Sequence, residues 1–205
     1  MEFAHSNSRG DCVPRPKTVD DNTVLDAALK IMLRPQREAF TLSDVATEVG
    51  LSRAALIQRF QNRDGLQLRV AERGLQMLEE YLQEAPSHQG VDDVWTFLRT
   101  LVNSMGSDDR LPSLLMMLRD DMVDKELNTI AKARNRLIRN AISERLPDAS
   151  EGQNDMLASL IQATMQGAAL QAGVDSPSEL KRHILDHIRL QLDLIFPGNG
   201  IAPND

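Results

Sequence analysis

Residues 51 to 60 read LSRAALIQRF, and Arg53 and Arg59 in that segment are followed by Arg63, Arg69 and Arg73. Five guanidinium groups against Asp64 and Glu72 give residues 53 to 73 a local charge of +3, in a chain whose formal net charge is −7. A guanidinium breaks no bonds. Its planar fork of donors suits phosphates and base edges, so a cluster of this kind points to binding a polyanion.

Residue types that would do other chemistry are thinly represented. In HILDH, His183 and His187 stand four residues apart, a spacing that lets two imidazoles share a metal on one helix. The Glu that a metalloprotease needs beside its first His is missing and no third ligand is evident, so an ordinary surface or interface pair is expected. There is no phosphate loop, nucleophile elbow or clustered acid pair, and Cys12 is the only cysteine. No catalytic residue, cofactor or metal site is therefore expected, and an intrachain disulfide is excluded.

The elements that must position the arginines are helices. Apolar residues make up 41% of 205 and aromatic ones only 3%, and Leu, Ala, Met, Ile and Val recur at helical rather than alternating spacing. This predicts an all-α chain. Apolar runs fall well short of the roughly 18 residues a membrane span needs, and residues 1 to 17 have no apolar core for a signal peptide, so a cytoplasmic protein is expected. Residues 86 to 205 carry 12 basic and 17 acidic side chains, a net of −5 that leaves the chain electrically polarised.

Residues 1–17 mix Ser, Asn, Gly and Pro without periodicity and read as a disordered tail; 198–205 read as a second, flexible one. A first helix is expected from Asn22 to Leu33, ended by Pro35. Thr41 can cap a short helix over Leu42 to Val49, with Asp44 three residues on. Gly50 supplies a left-handed turn and Ser52 caps a second short helix from Arg53 to Phe60. Two brief helices joined by a Gly turn make a helix-turn-helix, and 18–70 is the domain expected to contain it. A long helix should follow from Asn62 or Arg63 to Glu84, with Gly74 admitting a closely crossing neighbour or, as the alternative, a bend. Further helices are expected at 91–106, 111–146 with a break allowed for between Asp120 and Asp124, 153–173 and 177–195; residues 71–197 form the second domain.

The second short helix should present Arg53, Ala54, Ala55, Gln58 and Arg59 outward, given about 100° per residue. In the major groove of double-stranded DNA, Arg53 at the helix start suits guanine, Ala54 and Ala55 suit thymine methyls, and Gln58 suits a base edge or a phosphate. Arg59 and Arg63 are expected to neutralise phosphates, helped by the hydroxyls of Thr41, Ser43 and Ser52 at helix ends. One short helix reads few bases, which favours a dimer on a palindromic site.

The segment TLSDVATEVGLSRAALIQRFQNRDGL resembles the helix-turn-helix signature of the tetracycline-repressor (TetR) family. The resemblance rests on Thr41, Asp44, Val45, Ala46, Gly50, Leu51, Ser52, Leu56, Phe60, Arg63, Asp64 and Leu66, preceded by Leu25, Ala28 and Leu29. It departs at Ile57, where a Tyr typically meets the DNA backbone, at Arg59, where His is common, and at Arg63, where Lys is frequent.

The resemblance implies an N-terminal three-helix DNA-binding domain, a C-terminal helical bundle for ligand binding and dimerisation, and a repressor released from a palindromic operator by a small-molecule effector. On that reading Leu157, Leu160 and Ile161, with Ile184, Ile188 and Leu192, would face a partner subunit in a homodimer, though stripes of this kind also serve as ordinary core. Trp95, Met105, Met116, Arg134 and Met165 would line the ligand site, the alternatives being plain core for the apolar residues and an acidic partner from another helix for Arg134. Two other functions fit less of the pattern: a helical adaptor using Lys132, Arg134, Arg136 and Arg139, and a metal-dependent enzyme built on the His pair.

Overall fold

The computed structural model describes residues 19–34, 40–85, 87–147, 152–175 and 177–198. The expected tail at 1–17, all but the first residue of that at 198–205, and Pro35 lie outside these residues. The described chain is helical throughout: α1 (Asp21–Met32), α2 (Leu42–Val49), α3 (Arg53–Phe60), α4 (Arg63–Glu84), α5 (Val91–Ser104), α6 (Leu111–Val123), α7 (Lys125–Arg145), α8 (Gln153–Asp175) and α9 (Leu180–Ile195), with short 3-10 turns at Asp108–Arg110 and Pro177–Glu179.

Local chemistry explains the punctuation. Thr41 and Asp44 form a reciprocal capping box, in which Asp44 N–H donates to the Thr41 hydroxyl at 3.3 Å and Thr41 N–H donates to the Asp44 carboxylate at 2.7 Å. Gly50 ends α2 in the left-handed conformation at φ 67°. Ser52 and Asn62 cap α3 and α4 by accepting from the N–H groups of Ala55 and Gly65. The break allowed for in the long 111–146 stretch falls at Asp124, whose backbone is extended and whose carboxylate accepts from Glu126 and Leu127 at 2.9 Å each. That carboxylate starts α7 afresh where α6 stops.

The helices bury two apolar cores. A head core joins α1, α2, α3 and the start of α4 around Val24, Ala28, Val45, Leu56, Phe60 and Leu66. A body core joins α5, α7, α8 and α9 around Trp95, Leu98, Ile142, Ile161, Ile184 and Ile188. Each fully buried side chain of this size contributes about 1.5–3 kcal/mol. Within the body, Arg145 is almost completely buried. Its charge is held by Asp93 at 3.4 Å, by the Ala141 carbonyl at 2.9 Å and by the Phe97 ring face at 4.7 Å, the compensation that a buried cation requires.

α4 carries the chain from head to body, and α6 fastens the two from the side. The Ser113 hydroxyl donates to the Arg34 carbonyl at the end of α1 (2.6 Å), Met117 packs on the head core, and the buried Gln67 amide donates to Asp120 at 2.8 Å. Among the described residues no neighbour crosses closely at Gly74: a Cβ added there meets nothing within 4 Å.

The expected partner-facing stripe also needs correction. Ile161, Ile184, Ile188 and Leu192 are completely buried within the single chain, and Leu157 is half-buried against the same core. Of the six, Leu160 alone is exposed, at 52%. The physical reason is that α8 is apolar on both sides. Between Asp155 and Asp175 it carries no charged residue, so one face fills the body core while Met156, Leu160, Leu170 and Val174 cover the other.

Candidate nucleic-acid interface

α3 lies across the head, with Leu56 and Phe60 turned inward and fully or almost fully buried. The opposite face exposes Arg53, Ala54, Ile57 and Gln58. Arg53 occupies the first turn directly after the Ser52 cap, where the helix start directs free N–H groups and a partial positive charge outward. Thr41 and Ser43, at the start of α2, and Ser52 are all exposed. A shallow groove of about 240 Å³ runs between the two helix starts, lined by Thr41, Arg53, Ile57, Gln61, Asn62 and Arg63 with Phe40 and Leu42 at its base. Its cations and helix ends are of the chemical kind that suits phosphate oxygens.

Two of the expected outward residues sit elsewhere. Ala55 and Arg59 are half-buried on the flank of α3. The Arg59 Nη1 donates to the Val19 carbonyl at 2.6 Å and stands 3.3 Å from Asp21, so this guanidinium is engaged by the start of α1. Arg63 keeps partial exposure, lies 4.9 Å over the Phe40 ring and is 3.7 Å from Asp64. Ile57, which the family resemblance sets where a Tyr meets the DNA backbone, joins the exposed face although it was not among the residues expected outward from helical spacing. Its position four residues after Arg53 was sufficient signal, since residues at i and i+4 share one side of a helix.

Beyond the head, the five residues expected at a ligand site stand in different surroundings. Trp95 is buried in the body core, Met105 and Met165 pack half-buried on it, and Met116 is exposed on α6. Arg134 has the acidic partner that was its alternative, the Asp121 carboxylate at 2.7 Å. An open cleft of about 540 Å³ lies instead between head and body, lined by Arg63, Gln67 and Arg69 from α4 and by Asp120, Asp124 and Glu126 from the α6–α7 junction.

The basic run on α7 is divided in the same way, with Arg139 donating to Gln162 at 3.2 Å while Lys132 and Arg136 are exposed. His183 and His187 stack with ring centroids 4.3 Å apart, and the His187 Nδ1 lies 2.8 Å from the His183 carbonyl. Among the described residues no three His, Cys, Asp or Glu side chains are grouped as a metal would need, and no helix is long and apolar enough to cross a membrane.

Solved structures share this arrangement of helices. Salmonella enterica GusR superposes with a TM-score of 0.60 at 14% identity, over 84% of this chain and 92% of that one. A candidate transcriptional regulator from Pseudomonas aeruginosa PAO1 does so with 0.58 at 16% identity, over 85% and 89%. A candidate TetR-family transcriptional regulator from Rhodococcus sp. gives 0.55 at 18% identity, over 82% and 98%. The fold is that of the TetR-type regulators. No protein-family model and no curated relative matches the sequence. In the TetR-type fold of this chain, α1 to α3 and the start of α4 form the head and the remaining helices form the body.

Proposed function

We propose that this chain is a TetR-type transcriptional regulator that binds double-stranded DNA in a sequence-specific manner, as a homodimer on a palindromic operator. The reading is carried by one observation: α3, held by Leu56 and Phe60, turns Arg53, Ala54, Ile57 and Gln58 to solvent beside two capped helix starts. Arg53 reads guanine through a bidentate pair, Gln58 reaches a base edge or phosphate, and Ala54 leaves room for close approach. Arg63 and the hydroxyls of Thr41, Ser43 and Ser52 hold phosphates and set the register.

A repressor relieved by a small-molecule effector fits the way α6 grips the head. Its three attachments, at Arg34, Gln67 and the head core, make the orientation of the head depend on the position of α6. A ligand that binds more tightly when α6 is displaced lowers DNA affinity by that difference in free energy.

The experiment is enrichment of duplexes from a random library by the full-length chain near physiological salt, followed by titration of the enriched duplex. The expected result is a palindrome bound about 10³-fold or more tightly than unrelated duplex DNA, with Arg53→Ala costing about 1–3 kcal/mol and relaxing the preference at one base pair per half-site. Enrichment of no sequence, or equal binding by Arg53→Ala and the parent chain, would sink the proposal.

A further inference from the structure

We infer that Ile57 is a base-reading residue that selects a thymine, through its 5-methyl group, one or two base pairs from the guanine taken by Arg53. The inference rests on the DNA-binding reading of α3.

Ile57 is 38% exposed on a surface otherwise made of Arg53, Ala54 and Gln58. It lies four residues along the helix from Arg53, a rise of about 6 Å, which matches one to two base steps of roughly 3.4 Å. Among the described residues it lines the same groove as Arg53, Thr41 and Arg63, so it is the aliphatic surface of α3 beside the cations expected to meet DNA. The other apolar residues longer than Ala in α3, Leu56 and Phe60, are consumed by the head core.

An aliphatic side chain offers no hydrogen bond to a base edge or a phosphate. In the major groove, the apolar group that can meet it is the thymine C5-methyl. A branched side chain on a helix holds one strongly preferred χ1 rotamer, so Ile57 presents its methyl groups in a fixed direction at little entropic cost. The contact therefore discriminates thymine from cytosine at that base pair, where Arg53 and Gln58 supply polar readout on either side.

The test replaces thymines in the enriched duplex, one symmetric pair at a time, with deoxyuridine, which keeps base pairing and removes only the methyl. One pair should weaken binding by the full-length chain about fourfold per half-site, the loss expected for one buried methyl-sized group. Ile57→Ala should bind the thymine and uracil duplexes alike, Ile57→Val should retain most of the difference, and Arg53→Ala should leave the thymine-to-uracil ratio intact. Because Ile57 lies outside the head core, unchanged thermal unfolding of Ile57→Ala will show that its head is folded.

If no pair of thymines is sensitive, or if Ile57→Ala keeps the same sensitivity and merely weakens every duplex equally, Ile57 packs on the sugar–phosphate backbone and the inference is overturned while DNA binding stands. Failure to enrich any duplex overturns both.

Discussion

The guanidinium of Arg59 donates to the carbonyl oxygen of Val19 at 2.6 Å, across 40 residues of sequence, so the last turn of α3 holds the entry to α1. Asp20 in turn caps α1 by accepting from Thr23 N–H at 2.9 Å. The bond is charge-assisted and partly buried; such bonds contribute about 1.5–3 kcal/mol. Arg59→Ala should lower the urea midpoint of unfolding, whereas Arg53→Ala, on the exposed face, should leave it within about 0.5 kcal/mol of the parent. Equal stability of the two variants would remove the positioning role of Arg59 and return it to the phosphate-binding set.

Three glycines should respond to the same substitution in three ways. Gly50 has open space for a Cβ but a φ of 67°, so Gly50→Ala should cost about 1–2 kcal/mol through the backbone alone. A Cβ at Gly65 would collide with the Phe60 carbonyl oxygen, a backbone atom at the α3–α4 joint, so Gly65→Ala should be the most destabilising of the three. That joint is already tight, because Gln61 has a φ of 68° and Asn62 N–H reaches back to Phe60. Gly74→Ala, in mid-helix and unobstructed, should stabilise by about 0.5–1 kcal/mol. Chemical denaturation of the three variants gives the order directly.

Much of the head was legible in the sequence because its punctuation is local. Thr41 with Asp44, Gly50, Ser52 and Asn62 act within four residues of themselves, and they set the bounds of α2 and α3. What escaped depends on packing at long range. A helical stripe such as Ile184, Ile188 and Leu192 looks the same whether its own chain or a partner covers it, and only the assembled body decides. Arg134 shows the same limit: an acidic partner was one of its two readings, and Asp121 became that partner only through the meeting of α6 and α7. Arg59 belongs here too, since nothing within α3 announces the approach of Val19.

The head should weaken in acid, with Glu48 as one cause. A hydrogen bond from Arg34, reinforced by that residue's charge and more weakly by Lys30, holds the Glu48 carboxyl below its usual range. Asp20 is lowered in the same sense, first by its bond to the Thr23 hydroxyl. A carboxylate whose folded pKa is depressed contributes its stability fully above its unfolded pKa, and loses that contribution as the pH falls through the folded value. Urea midpoints measured from neutral pH downward should therefore fall once the ordinary carboxylate range is entered, and less steeply in Glu48→Gln than in the parent. Parallel curves for the two would exclude Glu48 as a contributor.

For the proposed homodimer, the outer face of α8 is the surface best suited to meet a second copy of the chain. From residue 156 to 174 the helix has no charge, and Met156, Leu160, Leu170 and Val174 lie between 48% and 84% exposed along one side, with Ala163 and Gly167 between them. Exposed Leu190 and Leu194 extend the apolar surface onto α9. An uncharged helix with a large exposed apolar strip opposite its core face gains by covering that strip. Close approach is possible at Gly167, where an added Cβ would meet nothing. The same face of two protomers related by a two-fold axis covers itself, as an isologous dimer requires. Leu160→Arg should accordingly yield a monomer in sedimentation at micromolar concentration, with its helical signal intact and its affinity for a palindrome reduced toward that for a single half-site. Substitution of Ile184 should instead unfold the body, because that side chain is internal. A Leu160→Arg protein that remains dimeric would move the interface away from α8.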